Sequence, residues 1–203
     1  MRKGEVTRQA ILDRAVTVAR HSGLGGLTIG RLAEELNLSK SGLFAHFKSK
    51  EALQIQVLDA AAARFVDVVV KPALAVRRGE PRVRALFDRW LEWESPERSK
   101  GGCIFVQAAA ELDDQEGPAR ERLVQLQRDW LEMIATSVRG AVTERHFGAH
   151  VDPEQFAHDL HGIILGYEHA SRLLRDSRAE QRARTALDAL IAAAHPTKRP
   201  RHK

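Results

Sequence analysis

Apolar positions along this chain recur at the three- and four-residue spacing of a helix face, and no segment alternates cleanly as a strand would. The first helix is expected from about Thr7 to His21, with Ile11, Ala15, Val18 and Ala19 on one face. Ser22-Gly23 closes it, because glycine accepts the left-handed conformation that ends a helix. Thr28 caps a short second helix, Ile29 to Leu36, which buries Ile29, Leu32, Ala33 and Leu36. Asn37-Leu38-Ser39 forms a tight turn, and Ser39 caps a third short helix through about Ala45. Ser49 caps a fourth that starts at Lys50 and runs past Phe65. Pro72 lies inside this pattern and is expected to kink or end it.

Longer segments follow. Gly79-Glu80-Pro81 breaks the chain, and Pro81 suits the first turn of a helix carrying Leu86, Phe87, Trp90 and Leu91. Ser95 to Gly102 reads as a polar loop, followed by a short apolar helix, about Ile104 to Leu112. Pro118 opens a long helix to about His146, with Leu123, Leu126, Trp130, Ile134 and Val138 on one side. Asp152-Pro153-Glu154-Gln155 has the form of a helix start and begins a helix to about Arg175. A last helix spans about Ala179 to Ala194, and the tail beyond it has no apolar face and is expected to be disordered. The pattern predicts an all-α protein of about nine helices. Its domains are a helix-turn-helix domain over 1–50, a larger helical body over 51–195 and a basic tail over 196–203.

The chain has 203 residues, 43% of them apolar and 29% charged, enough for one large domain or two small ones with a real core. No apolar run approaches the roughly 18 residues of a membrane span, so no membrane partner is expected. The start, Met-Arg-Lys-Gly-Glu, lacks the apolar core of a secretory signal, which sets the expectation of a cytoplasmic protein. Cys103 is the only cysteine, which excludes an internal disulfide and a cysteine-rich metal site. Charge is uneven: the whole net charge of +5 is matched by the first 50 residues alone, with nine Lys/Arg against four Asp/Glu. Because the last six residues add four more cations, the stretch between is mildly acidic. A basic amino-terminal segment on an acidic body is the electrostatic footprint of a nucleic-acid binder.

Two short helices joined by a tight turn present the second to a major groove. Leu43 and Phe47 sit four apart and pack inward against Leu32, Ala33 and Leu36, leaving Lys40, Ser41, Gly42 and Ala45 outward. Small outward residues allow close approach to base edges, and Lys40 can donate to guanine or to a phosphate. Thr28, at the positive end of a helix, and His46, Lys48 and Lys50 suit phosphates, with Ser39 at the turn between the two helices. Spacing alone leaves a second reading open, a helical corner with a solvated basic rim.

The run from Leu27 to Leu53, with Thr28-Ile29-Gly30-Arg31-Leu32-Ala33 and Ser39-Lys40-Ser41-Gly42-Leu43-Phe44-Ala45-His46-Phe47-Lys48-Ser49-Lys50, resembles the DNA-binding domain of the TetR/AcrR regulators. The resemblance is dense over about residues 7 to 58. It implies three short helices for DNA, a fourth as linker, and about five more forming a ligand-binding, dimerising body. By position it assigns Lys40, Ser41, Gly42 and Ala45 to base reading and Thr28, His46 and Lys50 to phosphates. Phe44 departs from the pattern, since the family often has Tyr there; the hydroxyl-to-phosphate bond is absent and an apolar contact is left.

In the body, Gly162, Gly166 and Ala170 form a small-residue ridge flanked by Ile163, Tyr167 and Leu174, and the last helix offers Ala183, Ala186, Leu187, Leu190 and Ile191 on a stripe. Paired across two chains, these helices make a four-helix interface, the alternative being packing within one chain. Phe87, Trp90, Trp93, Phe105, Trp130 and Met133 either line an apolar effector pocket or form aromatic core; the resemblance implies a small-molecule pocket in this region. His158, His161 and His169 share a helix without a diagnostic ligand spacing, so no metal and no cofactor is expected. Cys103 has no base placed beside it, and no convergent catalytic set appears, so no enzyme is expected. The expected partners are a double-stranded, palindromic DNA operator, a second copy of the chain and a small-molecule effector, and the expected role is effector-released repression.

Overall fold

The computed structural model describes residues 3–95 and 101–196. Its helices are α1 (Lys3–Ser22), α2 (Ile29–Leu36), α3 (Lys40–Phe47), α4 (Lys50–Phe65), α5 (Lys71–Ala75), α6 (Glu80–Glu94), α7 (Ile104–Leu112), α8 (Pro118–Thr143), α9 (Pro153–Glu168) and α10 (Ala179–Ala194). Single π-helical turns follow α4, at Val66–Val70, and α9, at His169–Leu173. With α4 and α5 taken as one helical rod, nine helices make up the described residues. No described helix is long and apolar enough to cross a membrane. The polar loop residues 96–100 and the basic tail from 197 onward lie outside the described residues.

The chain divides into two compact units, residues 1–66 with 94–127 and residues 67–93 with 128–203. The first is larger than the expected 1–50 domain, because α7 and the start of α8 bury their apolar faces in the same core as α1 to α4. Ile104, Ala108, Leu112, Ala119 and Leu123 join Ile11, Ala15, Leu27, Leu43, Phe47 and Leu58 in one cluster. Arg20 is buried beside it, donating to the Gly102 carbonyl at 3.0 Å and meeting Glu94 at 3.4 Å.

In the second unit, Val83, Leu86 and Phe87 of α6, Ile134 and Val138 of α8, Leu160 and Ile164 of α9, and Leu187 and Ile191 of α10 are buried. Crossed ion pairs tie α6 to α10: Arg84 to Asp188 and Arg184 to Asp88, each at 2.6 Å. Glu80, at the start of α6, accepts from His195 and Arg84, both at 2.8 Å. Burial alone would raise the Glu80 carboxyl, but those two hydrogen bonds and the attending charges hold it below its ordinary range.

Helix ends differ from expectation for local reasons. At Pro72 the helix neither breaks nor simply kinks at the ring. The backbone widens into the π turn just upstream and resumes as α5 with Pro72 in its first turn, where a missing N–H costs nothing. The third helix reaches Phe47 rather than Ala45 because Phe47 is wholly buried and draws the last turn into the core; Lys48, at φ +59°, then ends it. The eighth stops at Thr143, short of His146, as Arg145 turns left-handed at φ +60° and His146 donates back to the Ala141 carbonyl. Arg175, at φ +51°, closes the π turn after α9.

Candidate DNA interface

Three hydroxyl caps set the amino-terminal architecture. Thr28, extended at φ −125°, accepts from the Arg31 amide at 3.1 Å; Ser39 accepts from Gly42 at 3.1 Å; Ser49 accepts from Ala52 at 3.0 Å. Between α2 and α3 the reversal is made by Asn37, left-handed at φ +52°, with Leu38 donating to the Ala33 carbonyl. The turn therefore leaves α3 anchored at one end by Ser39 and along its inner face by Leu43 and Phe47, both 0% exposed.

Everything else on α3 faces water. Lys40, Ser41, Gly42, Phe44, Ala45 and His46 are exposed, as are Ser39, Lys48 and Lys50 beside them. Phe44 stands 56% exposed and Leu38, in the turn, 41%. Lys40 does not project straight outward: its Cε and Nζ lie 3.5 and 3.7 Å from where a Cβ on Gly30 would sit, with the Thr28 hydroxyl on the same spot. The ammonium thus lies beside the positive end of α2 and the Thr28 hydroxyl, a grouping that favours an anion. Lys50 donates to the Gly25 carbonyl at 3.0 Å, so it braces the loop between α1 and α2 while lying at the rim of the exposed face.

That loop is held by a residue no sequence pattern picked out. Glu111, on α7, accepts from the Leu24 amide at 3.2 Å and from the Gly25 amide at 2.5 Å, while Gln54 donates to the Leu24 carbonyl at 3.0 Å. Gly23 has φ +74°, and a Cβ there would fall 2.0 Å from the Glu111 carboxylate. The glycine-dense run Gly23-Leu24-Gly25-Gly26 is the one trace in the sequence of so close an approach.

In the second unit, Gly162 and Gly166 have nothing within 4 Å of a built Cβ and lie on an open face of α9. Ile163 and Ala170 are half-buried along it, and Leu165, Leu173 and Leu174 are exposed by 42, 70 and 63%. Tyr167 is half-buried, its ring edge-on to Trp90 with centroids 5.4 Å apart. The expectation for α10 needs correction. Ala183 and Leu187 are 5% and 3% exposed within the chain itself, because that stripe packs into the unit's own core, and Leu190 is half-buried. The outward row is instead Arg182, Thr185, Ala186 and Ala189, which line an open groove of about 420 Å³ with Arg178 and Gln181.

Phe87, Trp90 and Trp93 are buried core side chains, with Trp130 and Met133 half-buried in the same unit. Phe105 belongs to the first unit and stacks edge-on with Phe65 at 5.9 Å. Two buried polar atoms of the second unit lack a hydrogen-bond partner: Nδ1 of His161 and Oε1 of Glu168. Burial, with the neighbouring charge of His158, pushes the His161 imidazole below its ordinary value. Cys103 is buried at 3% exposure just before α7. Among the described residues no group of three or more His, Cys, Asp or Glu is arranged to hold a metal ion.

A short helix pair with one small-sided, cation-flanked outer face, on an all-helical chain of two units, defines a helix-turn-helix DNA-binding regulator. Residues 11–57 match the bacterial regulatory proteins of the tetR family, and residues 79–187 match the tetracyclin repressor-like C-terminal domain. The chain belongs to the TetR family and is one of its DNA-binding transcriptional regulators, a family without enzymatic activity. It is 24% identical over 179 residues to the HTH-type transcriptional regulator SrpR of Pseudomonas putida, which covers 88% of this chain and 81% of that one. The TetR family regulator of Cytophaga hutchinsonii superposes with a TM-score of 0.85 at 20% identity, covering 98% of this chain and 99% of the other. AibR, solved in complex with isovaleryl coenzyme A and operator DNA, superposes at 0.70 with 19% identity, covering 94% and 99%.

Proposed function

We propose that this chain is a cytoplasmic, homodimeric repressor that occupies a palindromic operator and is released from it by a small-molecule effector. The observation that carries the reading is the outer face of α3, where Ser41, Gly42 and Ala45 lie exposed beside Lys40, His46, Lys48 and Lys50. Small side chains let the helix backbone come close to base edges, and the surrounding cations grip the flanking phosphates. Lys40, drawn toward Thr28 and the start of α2, joins the phosphate-binding set rather than the base-reading one.

A second copy docks on the open face of α9 and α10. Its support is the bare Gly162–Gly166 ridge, the exposed Leu165, Leu173 and Leu174, and the groove along Ala186 and Ala189. The effector binds in the second unit, where aromatic side chains are dense and the partnerless Glu168 and His161 atoms offer hydrogen bonds to a ligand. AibR's complex with an acyl coenzyme A and operator DNA supports the pairing of these two partners. Two recognition helices engage successive major grooves only when about 34–36 Å apart, so an effector that prefers another spacing weakens DNA binding by linkage.

The test is selection of bound sites from random duplexes with the full chain. The expected outcome is an inverted repeat whose half-site centres are separated by whole turns of DNA. Recovery of unenriched sequence at low salt would reduce the protein to a non-specific DNA binder and defeat the proposal.

A further inference from the structure

We infer that α3 reads thymine through its 5-methyl group, with Phe44 and Ala45 making the contact, so that each half-site carries thymine where this helix enters the groove. The inference rests on the DNA-binding reading above and deepens it to the chemistry of the bases.

The argument starts from what the reading face lacks. Recognition of guanine or adenine in the major groove commonly uses Arg, Lys, Asn or Gln, whose long chains carry donors to the base edge. The α3 sequence, Lys-Ser-Gly-Leu-Phe-Ala-His-Phe, holds one such residue, Lys40, and its ammonium lies back over Gly30 toward Thr28. The Ser41 hydroxyl is engaged with that of Ser39 at 3.3 Å. His46 lies in the last turn. The middle of the helix therefore meets DNA with Gly42, Phe44 and Ala45, none of which has a polar side-chain atom.

Phe44 is no part of the core. Its neighbours Leu43 and Phe47 are wholly buried, whereas Phe44 remains 56% exposed, with Leu38 adding a second exposed apolar side chain in the preceding turn. The ring carries no hydroxyl, so it cannot bond a phosphate. Its position among Lys40, His46, Lys48 and Lys50, all exposed, suits an anionic duplex rather than an apolar protein surface. Within a major groove, thymine is the base that presents a methyl group, and Phe and Ala side chains are suited to it. Covering that methyl removes apolar surface of both partners from water, and the stabilisation vanishes if either is taken away.

The experiment replaces each thymine of the selected operator with deoxyuridine, one at a time, which deletes the methyl and keeps both hydrogen-bonding groups. Affinity is measured by fluorescence anisotropy at fixed salt for wild type, Phe44→Ala and Phe44→Leu. Wild type is expected to lose about fourfold in affinity per contacted methyl, the worth of burying one such carbon, at one or two positions per half-site. Phe44→Ala is expected to lose that discrimination at the positions Phe44 covers, and Phe44→Leu to keep most of it. Circular dichroism and the unfolding midpoint of each variant are recorded alongside, and exposure of the ring predicts little change in either.

Equal affinity of wild type for thymine and deoxyuridine at every position overturns the inference while leaving sequence-specific DNA binding intact. Discrimination that survives in Phe44→Ala overturns the assignment to Phe44. Failure to select any site overturns the DNA reading, and this inference with it. Binding of a protein through Phe44 with no effect of its removal on operator affinity also refutes it.

Discussion

Gly23→Ala tests whether the loop between α1 and α2 is shaped by Glu111 from the far end of the unit. The residue sits at φ +74°, a conformation that costs an L-residue about 1–2 kcal/mol. The new methyl would also lie 2.0 Å from one Glu111 carboxylate oxygen and 2.7 Å from its carboxyl carbon, so the side chain must swing away. Doing so releases the amides of Leu24 and Gly25. Each bond to a charged acceptor is worth about 1.5 kcal/mol at the low end of its range, and the exposure of Gly25 to water brings the pair to about 2 kcal/mol. The full penalty is therefore about 3 kcal/mol. In a Glu111→Ala background the clash and the bonds are already gone, and only the backbone part, about 1 kcal/mol, is left. Urea unfolding of the four proteins of this cycle, followed by circular dichroism, should give a coupling of about 2 kcal/mol. Equal penalties in the two backgrounds would refute the account and reduce Gly23 to a purely conformational glycine.

Other expectations concern charge, shape and pH. Lys50→Ala should weaken binding to every duplex and lower the slope of log affinity against log salt by about 0.9, read by titration from low to moderate salt; an unchanged slope would confine Lys50 to bracing Gly25. Gly42→Leu should abolish operator binding in a mobility-shift assay while helix content is kept, because the new side chain stands on the exposed face; full affinity would remove Gly42 from that face. Leu174→Asp together with Gly166→Glu should shift the sedimentation profile from dimer to monomer, and an undisturbed dimer would place the interface elsewhere. Because His161 titrates lower in the folded chain than its ordinary value of 6.5, its contribution to stability is complete above that value and is lost as pH falls toward the folded one. His161→Gln should therefore lose less stability than wild type between pH 8 and pH 5.5 in urea unfolding, and equal losses would show that the imidazole is not held neutral.

What the sequence disclosed is what local chemistry governs. Thr28, Ser39 and Ser49 each cap the helix assigned to them, since a hydroxyl one residue before an apolar run needs no distant partner. Leu43 and Phe47 face inward as their four-residue spacing requires. Contacts across long separations were not legible. Glu111 reaches Leu24 over 87 residues, and no periodicity in α7 marks it as other than a polar surface position. On α10, both the inner and outer stripes are rich in alanine, so spacing alone did not tell Ala183 and Leu187, which face the core, from Ala186 and Ala189, which face out. At Pro72 the rule that proline disturbs a helix held, but the accommodation, a widened turn, depends on how Val69 and Val70 pack.

The reach of Glu111 bears on how this regulator can be cut and recombined. Ile104, Ala108 and Leu112 complete the core beneath α1 and α4, and the carboxylate one turn along grips the loop that leads into Thr28. A chimera that grafts the first sixty-six residues onto a foreign body would leave that core uncovered and two amides ungripped. A swap meant to exchange promoter specificity must carry α7 and the opening turns of α8 along with the reading head.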